Sequence, residues 1–280
     1  MRGRAGAAFL VAVAVTATAA PGAAAKTKVL RGDFKSVGPG QQVSQKVGCP
    51  SGLRVSGGGT YTDGSSLEDE VADSYPFDGR DEDTKPDDGW KGAINGGPGG
   101  AQMQTWAMCT DAVKLTYSSA PAQPVSFGGR VTVPCPAEQD PVSGGMRVPG
   151  KLVTSPLKGS ILSGLPAGWE SSVINLTSPT PTGYAICSPS KRVEHAGGSL
   201  NLGPSSQGKL EMPCPDGSTI LGGGGTGDST NQLELASLLP SDADDDDGKP
   251  DDGWTTWFNN ESATETDSMN SHALCLRPRG

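Results

Sequence analysis

The chain is short of aromatic side chains: five tryptophans, four tyrosines and five phenylalanines in 280 residues. Hydrophobic residues reach only 34%, which is lean for one large apolar core. Lysine and arginine are outnumbered, 22 against 31 acids. The net charge of −9 repels phosphate backbones, so nucleic acid is excluded as a partner. Beyond the first 25 residues no apolar run approaches the ~20 residues that span a bilayer as a helix. No stretch there keeps a 3.6-residue apolar period with caps, although Ser66 to Ala72 could form a single helical turn. The chain has no Gly-x-Ser-x-Gly elbow and no His-Glu-x-x-His zinc motif. Its glycine clusters lack the lysine and following helix of a phosphate loop.

What is abundant is glycine (41), proline (23) and six regularly placed cysteines. That composition suits short strands, many turns and covalent staples. Met1 to Arg4 is basic, an alanine-rich apolar stretch follows, and Ala23-Ala24-Ala25 precedes Lys26. This reads as a secretory signal peptide over residues 1–25, which makes the expected product secreted and extracellular, with no transmembrane segment after cleavage. Cleavage removes Arg2 and Arg4 and takes the net charge to −11.

The cysteines stand at 49, 109, 135, 187, 214 and 275. Their separations alternate long, short, long, short, long, which is a repeat pattern. Cys49, Cys135 and Cys214 are each followed by proline and then by a glycine cluster: Gly57 to Gly59, Gly144-Gly145, and Gly222 to Gly225. Each pair closes on a similar tripeptide, Ala107-Met108-Cys109, Ala185-Ile186-Cys187 or Ala273-Leu274-Cys275. Six cysteines allow 15 pairings. The repeat makes Cys49–Cys109, Cys135–Cys187 and Cys214–Cys275 the simplest, and a swap between neighbouring repeats is the alternative.

Before each opening cysteine, apolar and polar residues alternate, as in Val131, Val133 and Cys135 against Arg130 and Thr132. Period two means half-buried strands. The expected fold is all-β: three tandem antiparallel repeats over 26–115, 116–193 and 194–280, one disulfide each. A pseudo-threefold, prism-like closure is favoured over separate beads, because each unit alone is small for a stable core. Immunoglobulin beads are unsuitable, because Trp90, Trp169 and Trp254 lie 19, 18 and 21 residues before the second cysteine rather than soon after the first.

Cys-Pro, the glycine cluster, Gly-Trp (Gly89-Trp90, Gly168-Trp169, Gly253-Trp254), an asparagine (Asn95, Asn175, Asn259) and Ala-x-Cys together resemble a largely uncharacterised module of secreted actinobacterial and phage-tail proteins. In some members a single module follows a collagen-like stalk. The resemblance therefore implies that three copies associate, here as a trimer fused into one chain. It brings no catalytic residues. The middle copy departs from the pattern: Pro136-Ala137-Glu138 lacks the glycine found at Gly52 and Gly217.

Two acidic loops precede the sequence Lys-Pro-Asp-Asp-Gly-Trp, which occurs at Lys85 and again at Lys249. Asp242, Asp244, Asp246, Asp247, Asp251 and Asp252 are candidate calcium ligands, since calcium wants several hard oxygens on a tight turn. A solvated acidic loop is the competing reading. The first loop, with Asp78, Asp81, Glu82, Asp83, Asp87 and Asp88, fits calcium less well. His272 replaces the aromatics Trp106 and Tyr184 three residues before the closing cysteine, so a packing role is expected; His195 is expected to be exposed. Trp257 has Ala93 and Ser172 as counterparts, which marks it as a candidate ligand-binding residue.

The leading expectation is a secreted, non-enzymatic β protein with a binding or structural role at the cell envelope or outside the cell, its partner an extracellular carbohydrate or protein. A calcium-dependent module using the acidic loops is the second reading. A hydrolase using paired carboxylates is the third.

Overall fold

The computed structural model describes residues 26–64, 66–79, 83–121, 124, 129–148, 157–163, 167–173, 180–227, 233–243 and 247–279. Residues 1–25, the expected signal peptide, lie outside them. Among the described residues there are strands and turns and no helix, so the all-β expectation holds. The expected helical turn at Ser66 is instead a tight turn, in which the Asp69 N–H donates to Ser66 O, and a strand begins at Glu70.

Three antiparallel sheets make up the molecule. The first runs β1 (Thr27–Arg31), β7 (Ala101–Thr110), β4 (Arg54–Thr62), β17 (Leu233–Ser241), β18 (Gly253–Asn260) and β15 (Ser206–Pro213), with β2 (Lys35–Val37) also on β7. The second runs β3 (Gln42–Gly48), β6 (Gly89–Asn95), β5 (Glu70–Phe77), β10 (Asp140–Arg147), β13 (Thr182–Ser188) and β8 (Thr116–Ser119). The third runs β14 (Val193–Leu202), β19 (Asp267–Leu276), β16 (Thr219–Gly227), β11 (Leu157–Ser163), β12 (Gly168–Val173) and β9 (Arg130–Pro134). None of the three closes on itself.

Each sheet draws strands from two of the segments 26–115, 116–193 and 194–280, so the segments are not beads on a string. The joints are narrow: Thr60 pairs with Leu238, Ser74 with Met146, and Gly159-Ser160 with Thr226 and Gly225. One apolar cluster spans all three segments, with Val71 and Met108, Val131 and Trp169, and Trp254 and Phe258 among its members. Alternation is cleanest in β9, where Val131 and Val133 are buried and Arg130, Thr132 and Pro134 are exposed.

The three disulfides are Cys49–Cys109, Cys135–Cys187 and Cys214–Cys275. Each opening cysteine precedes the same turn, in which Leu53, Gln139 and Ser218 donate to Pro50, Pro136 and Pro215. The turn needs a left-handed residue: Gly52 has φ 83°, Gly217 has 72°, and the middle segment puts Glu138 there at 63°.

The glycine clusters meet the tryptophans. A methyl group added at Gly58, Gly144 or Gly223 would overlap the ring of Trp90, Trp169 or Trp254 respectively. Each glycine strand also carries a bulge, between Val55 and Gly57, Pro141 and Ser143, and Ile220 and Gly222. The Gly-Trp and glycine-cluster signatures are thus two halves of one packing device.

Candidate functional site

The acidic loops lie at one end of β6 and β18, beside the disulfides. Their carboxylates largely hold their own backbone. Asp252 Oδ1 accepts from Ala243 N at 2.7 Å, and Asp242 Oδ2 from Gly248 N at 2.8 Å, while Asp242 Oδ1 is buried without a partner. Asp247 accepts from the backbone and ammonium of Lys249. Asp251 sits against β1, where residues 248–251, Trp106 and β1 line a cleft of about 410 Å³. Asp244 and Asp246 lie outside the described residues. The first loop follows the same plan: Asp88 Oδ2 accepts from Gly79 N, and Asp87 pairs with Arg54.

At the opposite end of β6 and β18 the structure gathers three carboxylates that sequence reasoning passed over. Glu70 opens β5, Glu234 lies at the start of β17, and Glu261 follows β18. One oxygen from each lies within 4.8 Å of the others. Among the described residues this is the grouping of three or more acidic, histidine or cysteine side chains close enough to share a metal ion. Glu70 is opposite Asn95 and Glu234 is opposite Asn259, so β5 and β17 deliver their acids from corresponding places. The signal available in the sequence was that pair of motif asparagines. Glu70 and Glu234 could be placed opposite them only through the bulges after Val71 and Leu235.

Burial pushes the Glu70 carboxyl up, against a lowering hydrogen bond to Glu234. Burial also pushes Glu234 up, reinforced by hydrogen bonding and charge repulsion from Glu70. Glu261 rises to about 7 through burial and the charges of Glu234 and Glu68. The Oε2 atoms of Glu70 and Glu234 are buried and have no hydrogen-bond donor. Beside the cluster an open cleft of about 340 Å³ is lined by Glu68, Glu70, Asn95, Gly97 and Glu261.

Trp257 is half-buried on β18 of the first sheet, with its indole N–H buried and without a partner. Its ring meets Tyr61 edge-on at 6.4 Å, and Tyr61 meets Phe34 edge-on at 6.1 Å. Phe34 is 59% exposed. Lys209, opposite Trp257 on β15, pairs with Glu211. Gly64, at φ 63°, brings the 63–64 loop against the indole. The other tryptophans are interior: Trp90, Trp169 and Trp254 are fully buried and Trp106 is nearly so.

The two histidines meet. His195 Nε2 and His272 Nδ1 are 2.7 Å apart across β14 and β19. His195 is exposed, as expected. Burial and the charge of His195 lower His272 to about 4. His272 is half-buried, but its partner is another imidazole.

No family model and no curated protein matches the chain. No helix among the described residues is long and apolar enough to cross a membrane.

Proposed function

We propose that this is a secreted, non-enzymatic carbohydrate-binding protein, built as a fused trimer of one β module, whose ligand surface is the aromatic row Phe34, Tyr61 and Trp257. The three disulfides support an oxidising, extracellular setting. The sharing of every sheet between two segments supports the fused-trimer reading.

The observation that carries the binding reading is the row itself. In a chain with few aromatics, three of them meet edge to edge in one row, and the ring at one end, Phe34, is largely exposed. Aromatic rings offer flat apolar area to the C–H faces of sugars, and flanking polar groups orient the hydroxyls. Gln102, bonded to Ser36, and the Lys209–Glu211 pair stand on strands of the same sheet.

The test is titration with soluble polysaccharides and their oligosaccharides, read by tryptophan emission. Four of the five tryptophans are interior, so a ligand on this face reports mainly through Trp257. Expected are a saturable change in emission, its loss in Trp257→Ala, at least tenfold weaker binding in Phe34→Ala, and no release of reducing ends. Binding that survives both substitutions, or cleavage of the glycan, would overturn the reading, as would capture of a protein partner alone.

A further inference from the structure

We propose that Glu70, Glu234 and Glu261 form a calcium site that ties the first segment of the chain to the third. The ligands come from three elements: the start of β5, the start of β17 and the turn after β18. Residues so far apart in sequence converge only because β17 joins β4 at Leu238 and Thr60. The Asn259 side-chain amide strengthens that joint. Its Nδ2 donates to Leu67 O at 2.7 Å and to Asp69 O at 3.1 Å.

A second observation points to a ligand. Glu234 is only 6% exposed, one of its carboxylate oxygens converges with those of Glu70 and Glu261, and its Oε2 is buried with no hydrogen-bond donor. A buried carboxylate is stable only if something positive or protic meets it. The charged groups acting on the three acids are themselves carboxylates, one another and Glu68, and the neutral side chain that hydrogen-bonds Glu70 is Asn95, which reaches neither Glu234 nor Glu261 in the same way. A proton shared by Glu70 and Glu234 would satisfy one pair of oxygens and leave Glu261 facing them. A divalent cation satisfies all three together.

The donor set selects the cation. All three side chains offer hard oxygen, which suits calcium and magnesium rather than zinc or copper. Calcium takes about 6–8 oxygens in flexible geometry, whereas magnesium demands a tight octahedron. Three carboxylates supply up to six oxygens, and the open cleft beside Glu70 and Glu261 admits water for the remainder. The cleft is also the entry path. Because the ligands come from two segments, bound cation would resist their separation.

The test strips the purified full chain with a chelator and titrates it with calcium chloride, followed by calorimetry and by thermal unfolding. One calcium per chain is expected. Melting should rise by roughly 5 °C or more at a hundredfold excess over the dissociation constant. Glu234→Gln and Glu261→Gln should each weaken binding at least tenfold. Glu261 is exposed, so its variant folds even if the buried position tolerates no change. Asp242→Asn/Asp252→Asn should leave binding intact. Three outcomes would overturn the proposal: no stoichiometric binding, binding that survives both glutamate variants, or binding lost only when the Asp242 loop is changed. Loss of all calcium response together with stabilisation by acid would assign the cluster to a shared proton instead.

Discussion

Adding one methyl group at Gly58 should cost several kcal/mol. An alanine Cβ there would stand 2.6 Å from Trp106 O and inside the Trp90 ring. The backbone is in an ordinary extended region, so the penalty is steric rather than torsional. Neither obstacle can swing aside. One is the carbonyl of a paired strand, and the other is an indole at 0% exposure, whose Nε1 donates to Ser74 Oγ at 2.9 Å. Overpacking typically costs about 1–3 kcal/mol when neighbours can shift. Here they cannot, so about 3 kcal/mol or more is expected, a fall in melting temperature of roughly 6–12 °C for a chain of this size. Gly203→Ala is the control, because an added Cβ there meets nothing within 4 Å. It should be neutral or stabilising by up to about 1 kcal/mol. Thermal unfolding by circular dichroism in non-reducing buffer reads both. Gly58→Ala/Trp90→Leu should cost clearly less than the sum of its parts, since the clash and the ring are one unit. If Gly58→Ala melts within 2 °C of Gly203→Ala, the glycine cluster is not there to admit the tryptophan.

Removing one bridge by Cys135→Ala/Cys187→Ala closes a 52-residue loop no longer, at a cost of roughly 4 kcal/mol; denaturant unfolding under oxidising conditions measures it, and a cost under about 1 kcal/mol refutes the entropic argument. Burial holds Asp73 up to about 6 in the folded protein, while Val148 N donates to it at 2.6 Å. The folded state therefore keeps a proton that the unfolded chain releases near pH 4, so this contribution falls as pH rises from about 4 to 6 and is then flat. Asp73→Asn should stabilise the protein at pH 7 by about 2–3 kcal/mol and lose the advantage at pH 4; equal effects at both pH values would contradict it. His272 acts in reverse: its folded value near 4 lies below the ordinary one, so stability is lost as pH falls from about 6.5 to 4, and His272→Gln should flatten that limb of the melting profile. Lys26 N stands 2.6 Å from Asp111 Oδ1, so cleavage after Ala25 would place a new ammonium against that carboxylate; on the signal-peptide reading, intact mass of the exported chain should begin at Lys26, and a start at Lys28 or beyond would contradict it.

Local chemistry made much of this protein legible in its sequence. Alternation of Val131 and Val133 with polar neighbours needs only the two-residue period of a strand, and β9 follows it. The spacing of the six cysteines made one pairing the simplest and left a swap between neighbouring repeats open; the three disulfides of the structure take the simple pairing. The uniqueness of Trp257 could be read by offset alone. Its half-burial could not, because Tyr61 and Gly64 come from a strand and loop nearly 200 positions away.

The joints between sheets were also beyond the sequence. Thr60 with Leu238 and Ser74 with Met146 are single pairings between distant strands, and no local period specifies them. The acidic loops attracted the calcium reading because their carboxylates are neighbours in sequence. In three dimensions Asp242 and Asp252 hold backbone N–H groups of their own loop. Glu234 and Glu261 are single acids in the sequence, and Glu70 ends the short run Glu68-Asp69-Glu70, so no spacing links the three. They converge because β17 joins the first segment at β4, and β5 and β17 each carry a bulge just after the acid at their start. The sequence by itself determined strands, turns and staples, which depend on near neighbours. Only the tertiary structure decided which buried carboxylates meet, because that depends on contacts that exist only once the sheets have joined.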